Sequence, residues 1–410
     1  MATGEAGHGV RRGGPWPVQL FTPYPAFPRL VFGRTAVRSA AFPANDAAGG
    51  QSVLIGSAAG TCEADVAARA RGELTERVHN VLAGRAAASD PSGVVATHTA
   101  LRRKGVPALD PLSWPELADR AEPVRETELL WVPGESLTDG GQVLVPACAV
   151  HLAHRPPAGC AAPLRPGSVG LAAHRTRDEA TTHAALEILE RDLVWRAWYG
   201  EGRRAAAVAS GGGHGVPLRD GLAALGLSAA PLLLPGPGGT VCAVVCLHGD
   251  EGAGQSFGAR AAFVSDEGTA PPTAVRAAAL EALMVRWSLD TPAARAARRR
   301  LERCGWQEVD GPLEHALYAF DRQDALARLL SGDRGPARGC STGEPAVGRL
   351  LAEHTGEDVV LVDTGAPGVP GGDAAVVRVV APGARRLPAR ERPRPPSPGS
   401  THGPPPHPLG

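Results

Sequence analysis

Gly170-Leu171-Ala172-Ala173, followed by Glu187-Ile188-Leu189-Glu190-Arg191, decides how this chain is read, because the phrase stands once before it. The earlier copy is Gly56-Ser57-Ala58-Ala59 with Glu73-Leu74-Thr75-Glu76-Arg77, and in both copies the first glutamate lies 17 positions after the glycine. Two G-x-A-A segments leading at one spacing into E-x-x-E-R mark a single device used twice. At about 100° per residue, Glu187, Glu190 and Arg191 share one face of a helix, and Leu186, Leu189 and Leu193 share the adjoining face. Val66, Ala70, Leu74 and Val78 make the matching apolar stripe beneath Glu73 and Glu76. The stripes pack, and the carboxylates are presented together. Four carboxylates on two neighbouring helices make a site for a hard divalent cation, which takes oxygen ligands and commonly accompanies nucleotide phosphates. Taken alone, a Glu-x-x-x-Arg pair is a surface ion pair worth a few tenths of a kcal/mol. The duplication favours the shared site.

A chain of 410 residues is long enough for a large core in one big domain or two. Its 42 basic and 42 acidic residues balance, so no global field draws in nucleic acid or an anionic membrane, and neither partner is expected. No signal-peptide run follows Arg11-Arg12, and no apolar stretch approaches the roughly 20 residues that span a bilayer. A cytoplasmic protein is expected. Seven scattered cysteines make no disulfide framework. Cys242 and Cys246 lie four residues apart in a strand, about 13 Å, too far for a bridge. Lys104, the only lysine, follows no G-x-x-x-x-G-K-[ST] loop, which excludes a Walker-type cradle. A bound nucleotide would rest on carboxylates, arginines and main-chain amides.

Residues 1–28, rich in Gly and Pro, read as a partly ordered arm. Short strands are expected over 29–40 and 51–56, the second running into the first G-x-A-A as a turn, and then a helix over 63–83. A short helix follows at 112–117, a strand at 128–133 and another at 142–152. Cys148, His151, His154 and Cys160 have a zinc-like spacing, but alternation along a strand turns His151 away from Cys148 and His154. The second helix is expected over 178–199, its Trp195, Trp198 and Tyr199 serving as core. Gly211–Gly215, in the gap at 201–220, follow no strand and make no dinucleotide fingerprint. Strands resume at 229–234, 239–248 and 259–265. A third helix, 273–289, carries a single acid of this kind, Glu281; Arg286 lies about 140° round from it and need not serve the same site. Strands at 358–363 and 374–380 are apolar enough to be buried. From Pro382 the chain is Arg- and Pro-rich and ends Pro404-Pro405-Pro406-His407-Pro408-Leu409-Gly410.

With these pieces placed, the sequence resembles the YcaO family from about Pro28 to its last residue. Gly170-Leu-Ala-Ala and Glu179-Ala-Thr-Thr-His-Ala-Ala-Leu-Glu-Ile-Leu-Glu-Arg-Asp192 are close to the family's second nucleotide motif. The Glu73–Arg77 copy is similar to its first, and Ala279–Arg286 to its third. Val376–Gly383 is similar to a late strand ending in Pro-Gly. The closing P-x-P-x-P, Pro404, Pro406 and Pro408, is similar to the terminus of the azoline-forming branch. The resemblance implies an α+β fold with mixed or antiparallel sheets, packed helices and an internal pseudo-repeat. It also implies a catalytic domain over 29–383 and a tail over 384–410. The implied activity is that of an ATP-dependent cyclodehydratase, which converts Cys, Ser or Thr of a ribosomal precursor peptide to thiazoline or oxazoline.

For the site, the resemblance implies Mg2+ held by Glu73, Glu76, Glu187 and Glu190. ATP would be bound by these together with Arg77, Arg191, Glu281 and Arg286. The terminal prolines would enter the catalytic cleft, so that deleting the last heptad lowers cyclisation far more than stability. Arg77 and Arg191 read equally well as ion-pair partners alone. No leader-binding module is apparent, which implies a separate partner of the ubiquitin-activating-like or ocin-ThiF type; homodimerisation stays open. The chain departs from the family at Ala59, where a lysine is usual nearby, at Arg69, in place of a serine, and at Met284, near a usual glutamine. Two rivals remain: a degenerate, non-catalytic scaffold subunit, and a thioamide-forming relative, against which the P-x-P-x-P argues.

Overall fold

The computed structural model describes residues 9–11, 14, 16–39, 42, 53–118, 123–200, 206–207, 218–264, 271–306, 308–330, 346–371, 373–391 and 404–409. Three sheets and three long helices organise them. The first sheet runs in chain order through Gly9–Arg11, Val18–Phe21, Val31–Arg38 and Val53–Gly60. Residues 9–21, read from the sequence as part of an arm, therefore add two strands to it. The second sheet has the order Ser256–Phe263, Thr240–His248, Ser228–Pro235, Ala206–Ala207. In the third, Val94–Ala96, Leu129–Ser136, Val360–Asp363, Ala375–Val380 and Leu171–His174 lie side by side, and Gln142–Pro146 also pairs with Leu129–Ser136. All these strand pairs are antiparallel. The α+β class with antiparallel sheets is as expected.

The first long helix, Glu63–Ala86, packs on the edge strand Val53–Gly60 and its neighbour. Its buried stripe of Val66, Ala70, Leu74 and Val78 is the one the period requires. The second, Arg177–Tyr199, starts at a capping box in which Thr176 and Glu179 bond each other's backbone, and it stops at Gly200, φ 89°. A left-handed residue there ends a helix without the penalty a Cβ would bring. This helix lies across Leu171–His174, Ala375–Val380 and Ser256–Phe263, so Leu189, Val194 and Trp198 share one core with Leu232, Val244, Phe257, Val377 and Val379. The third helix, Pro272–Ser288, opens on a proline and packs on Thr240–His248 and Ser256–Phe263.

The first G-x-A-A segment, expected as a turn, is strand, Gly56–Ala59 lying inside Val53–Gly60; in the second, Gly170 is a turn residue, φ 86°, and Leu171–Ala173 opens the strand Leu171–His174. Gly56, and Gly258 in the strand Ser256–Phe263, exist for close approach to a helix. A Cβ on Gly56 would stand 2.1 Å from the Ala70 carbonyl oxygen and 2.7 Å from the Leu74 nitrogen. On Gly258 it would stand 2.2 Å from the Ala278 carbonyl oxygen and 2.7 Å from the Ala282 nitrogen. Strand and helix touch backbone to backbone at both places. Gly56→Ala must push them apart, with an expected loss of about 3 kcal/mol, read as a lower denaturant midpoint at unchanged m-value. An unchanged midpoint would mean that the first helix is not seated as described.

The strand expected over 142–152 ends at Pro146, and Ala147–Val150 is a helical turn. Strand alternation therefore does not govern Cys148, His151 and His154. Cys148 is buried among apolar side chains, which push its thiol up to about 11. It is a neutral packing residue. Gly211–Gly215 lie outside the described residues. No described helix is long and apolar enough to cross a membrane.

Candidate functional site

Three sheet edges are finished by acidic helices, and this places the site. An edge strand leaves every second N–H and C=O without a neighbouring strand, so something must cover them. On the edge strand Val53–Gly60, the Ser57 amide donates to Glu73 Oε2 at 2.6 Å. Arg77 donates to the Ile55 carbonyl, and Arg69 to the Ala59 carbonyl at 2.6 Å. Beside the edge strand Leu171–His174, the Gly170 amide donates to Glu187 Oε2 at 2.9 Å. On the edge strand Ser256–Phe263, the Ala259 amide donates to Glu281 Oε2 at 2.9 Å and the Ala261 amide to Glu190 Oε2 at 3.2 Å. The four bonds to glutamates each fix a carboxylate to rigid backbone. At Glu187 and Glu281 no main-chain bond to Oε1 from the described residues competes with a ligand.

The acids so placed form a continuous row. Glu76 is pushed well above the usual carboxylate range, first by burial and then by the negative charges of Glu187 and Glu73. Glu190, 2 % exposed, is raised too, by burial and by Glu281 and Glu187 against the pull of Arg191 and Arg260. Glu187 is raised by burial, with Arg191 the first of the groups opposing it. Arg191 bridges two members, its Nε 3.4 Å from Glu190 and its terminal nitrogen 3.5 Å from Glu281. Glu76 has no hydrogen-bond or ion-pair partner among the described residues. Burial and acidic neighbours both work against ionisation of Glu76 and Glu190, and a bound cation would relieve both. Clustered carboxylate oxygens suit a hard divalent cation, so the donor set fits Mg2+.

Not every residue of the expected site takes part equally. Glu73 and Arg77 pair at 2.5 Å, and both cap the strand edge. Glu73 therefore has little left for a metal. Arg286 lies elsewhere: it donates to the Gly254 carbonyl at 2.5 Å and stacks over Phe320, 5.1 Å from the ring centre. The structure does not bring it to the carboxylates. At the three departures from the family pattern, Ala59 is buried, Met284 packs against apolar neighbours, and Arg69 holds Asp65 and the Ala59 carbonyl.

The terminal prolines are built in. Trp198 donates to the Pro405 carbonyl at 2.8 Å, and the His407 amide to Glu391 at 3.3 Å. His407 and His315 stack with ring centres 3.7 Å apart, and Leu409 is 2 % exposed in the main core. These contacts of the segment 404–409 meet the second helix at Trp198, about 12 Å along its axis from Glu190. Asp192, the residue after E-x-x-E-R, is fully buried. Burial alone would raise its pKa, but bonds from His354, Arg196 and the Arg385 amide outweigh this and leave it below the usual range. It ties residues 384–391 to the second helix.

Reading the sequence missed Arg378, Arg260 and His183. Arg378 lies in the buried strand Ala375–Val380, 3 % exposed, and donates to the Gly167 carbonyl at 2.8 Å, while its Nε has no partner. Burial, and next the charge of Arg386, lowers its pKa to about 9, with Glu187 and Glu76 opposing. Arg260 is half-buried, and its charge acts on Glu187 and Glu190. Each is one cation inside an otherwise apolar strand, and that was the available signal.

A family model described as YcaO cyclodehydratase, ATP- and Mg2+-binding, matches residues 57–385. An uncharacterised protein of Methanothermobacter thermautotrophicus is 40% identical over 83 residues, 20% of this chain and 21% of that protein. Among solved structures, a heterocyclase in complex with substrate and cofactor superposes with a TM-score of 0.60 at 18% identity, over 87% of this chain and 48% of that one. The YcaO protein of Methanopyrus kandleri, bound with AMPPCP and Mg2+, gives 0.56 at 22% identity over 96% and 90%. The E. coli microcin synthetase McbBCD complex with pro-MccB17 bound gives 0.57 at 13% identity over 93% and 89%. This chain spans about half the length of the heterocyclase and about a fifth of the archaeal relative. At these identities the structural likeness establishes the fold.

Proposed function

Because the chain belongs to the YcaO family, whose cofactors are ATP and Mg2+, we propose that it is an ATP-dependent cyclodehydratase acting on a ribosomal precursor peptide. The reading rests on one observation above the others: the acids Glu73, Glu76, Glu187, Glu190 and Glu281 stand in a row in which Glu76 and Glu190 are buried and feel their acidic neighbours. A Cys, Ser or Thr side chain attacks the preceding amide carbonyl carbon. The former amide oxygen takes the γ-phosphoryl group, ADP departs, and loss of phosphate leaves the azoline. An amide oxygen is a poor leaving group until phosphorylated, and phosphoryl transfer depends on positioning and charge neutralisation.

Glu76, Glu187 and Glu190 would hold Mg2+ through carboxylate oxygens, and the ion would neutralise phosphate charge. Arg191 orients Glu190 and Glu281, and Arg378, its Nε without a partner among the described residues, acts on Glu187 and Glu76 and serves as a phosphate contact. Glu73 and Arg77 serve by covering the strand edge. Pro404, Pro406 and Pro408 act by bracing the helix that carries Glu190. Likeness to a member of the microcin synthetase complex supports a separate partner that delivers the precursor. The scaffold alternative draws on Ala59 and Met284, whose side chains offer a nucleotide no polar group, and on Arg69, which is engaged with Asp65 and the Ala59 carbonyl.

The test combines purified protein, its partner and precursor with Mg-ATP. The expected result is successive loss of water by mass spectrometry, with one phosphate released per ring. Phosphate release at background level with all components present would favour the scaffold.

A further inference from the structure

Arg260 is held in an unusual way. The edge strand Ser256–Phe263 gives its amides at Ala259 and Ala261 to Glu281 and Glu190, and Arg260 sits between them. Its charge acts on Glu187 and Glu190, yet it makes no ion pair among the described residues. Its side-chain partner is His183 Nε2, 3.3 Å from Nη1. His183 Nδ1 in turn lies 2.9 Å from His174 Nε2.

The hydrogen positions follow from valence. A guanidinium only donates, so His183 Nε2 must accept; Nδ1 then carries the proton and donates to His174 Nε2. His183 is therefore a neutral imidazole, in keeping with a pKa pushed down to about 4 by burial, Arg260 and His174. A neutral acceptor fixes the direction of a guanidinium without cancelling its charge. The three residues come from the third sheet's edge, the second helix and the second sheet's edge, so the relay also spans the gap where those edges meet.

A cation aimed at a carboxylate site, yet left unneutralised, suits an anion that arrives with the metal. We propose that Arg260 contacts the phosphates of the bound nucleotide, and that His183, itself held by His174, is the positioning residue that aims it. The proposal rests on the ATP-binding reading of the acidic row. Four of the five guanidinium N–H groups remain for phosphate oxygens once one is given to His183.

The experiment titrates Mg-ATP into the full-length protein by calorimetry and records melting without nucleotide. Arg260→Gln is expected to weaken Mg-ATP binding about tenfold to a hundredfold, the worth of one charge-assisted hydrogen bond to an anion, with melting shifted by no more than about 2 °C. Arg260→Lys, which keeps the charge but loses the fork, should fall between. His183→Leu should weaken binding as Arg260→Gln does. His183→Gln, whose amide oxygen reaches the Nε2 position, should restore most of it. A purely structural histidine would lower melting and binding together and would show no rescue by glutamine. Wild-type affinity in Arg260→Gln, or no difference between His183→Gln and His183→Leu, overturns the proposal alone. Failure of the wild type to bind Mg-ATP overturns the reading of the site and the proposal with it.

Discussion

Glu190→Gln is expected to reduce ATP-dependent phosphate release by roughly a thousandfold or more, the scale of losing one preorganised electrostatic group at a phosphoryl-transfer site, and to leave the fold intact. The substitution is chosen for what it keeps. The amide oxygen of glutamine can still accept from the Ala261 amide, the volume is unchanged, and Arg191 retains Glu281. What goes is one negative charge in the acidic row. That charge is unfavourable in the free protein, because burial and then Glu281 and Glu187 raise the Glu190 pKa against the opposition of Arg191 and Arg260.

A pH signature follows from the same shift. A carboxyl whose folded pKa lies above its unfolded value contributes stability below the unfolded range and loses it as pH rises through the folded value. Glu76, Glu187 and Glu190 all shift this way, so the free wild type should melt progressively lower from about pH 5 upward. Saturating Mg-ATP, bound by the ionised acids, should flatten the decline, and Glu190→Gln should be flatter than wild type without any ligand. Melting curves at several pH values with and without Mg-ATP measure this. A wild-type melting point that ignores both pH and nucleotide would remove the acidic row from the mechanism, as would undiminished phosphate release in the variant.

The helices were legible because their apolar stripes repeat at the helical period, and Thr176-x-x-Glu179 announces the second one at its start. The pairing of Glu73 with Glu187 was legible as duplication. Glu281 was the weaker reading, since its helix carries one acid of the kind, yet its bond from the Ala259 amide matches that from Ser57 to Glu73. That likeness lies in the meeting of strand edge and helix, which spacing along one chain does not encode. The first G-x-A-A was taken for a turn because glycine suggests bends. Here Gly56 was required for contact with the helix backbone at Ala70, as Gly258 is at Ala278. The run 142–152 was apolar enough for either strand or buried helix, and only Pro146 marks the change. Arg286 was counted with the site through its motif, and helix geometry carries it towards Gly254 and Phe320.

Removal of residues 404–410 is expected to cost about 4 kcal/mol or more, a buried leucine and several hydrogen bonds together. This reverses the expectation that the last heptad serves cyclisation with little effect on stability. Leu409 is 2 % exposed in the core that also holds Trp198, Val194 and Leu329. Cutting the segment exposes that surface, strips Trp198 of its acceptor on Pro405, and takes from Glu391 the amide of His407. His315 loses both its stacked ring and the His407 carbonyl, 3.1 Å from its Nδ1. Alternating prolines let the segment enter at low entropic cost, so its contacts yield more net stability than a flexible tail would. The damage falls on the last turns of the helix that bears Glu187, Glu190 and Arg191, and phosphate release should fail as those turns loosen. Leu409→Ala isolates the packing part, at about 3 kcal/mol. Calorimetric melting of the full chain, the truncated chain and Leu409→Ala decides the matter: saturating Mg-ATP should recover part of the lost melting temperature, since it binds only the folded form. A truncated chain that melts within about 2 °C of the full one, yet releases no phosphate, would return these prolines to the reaction itself.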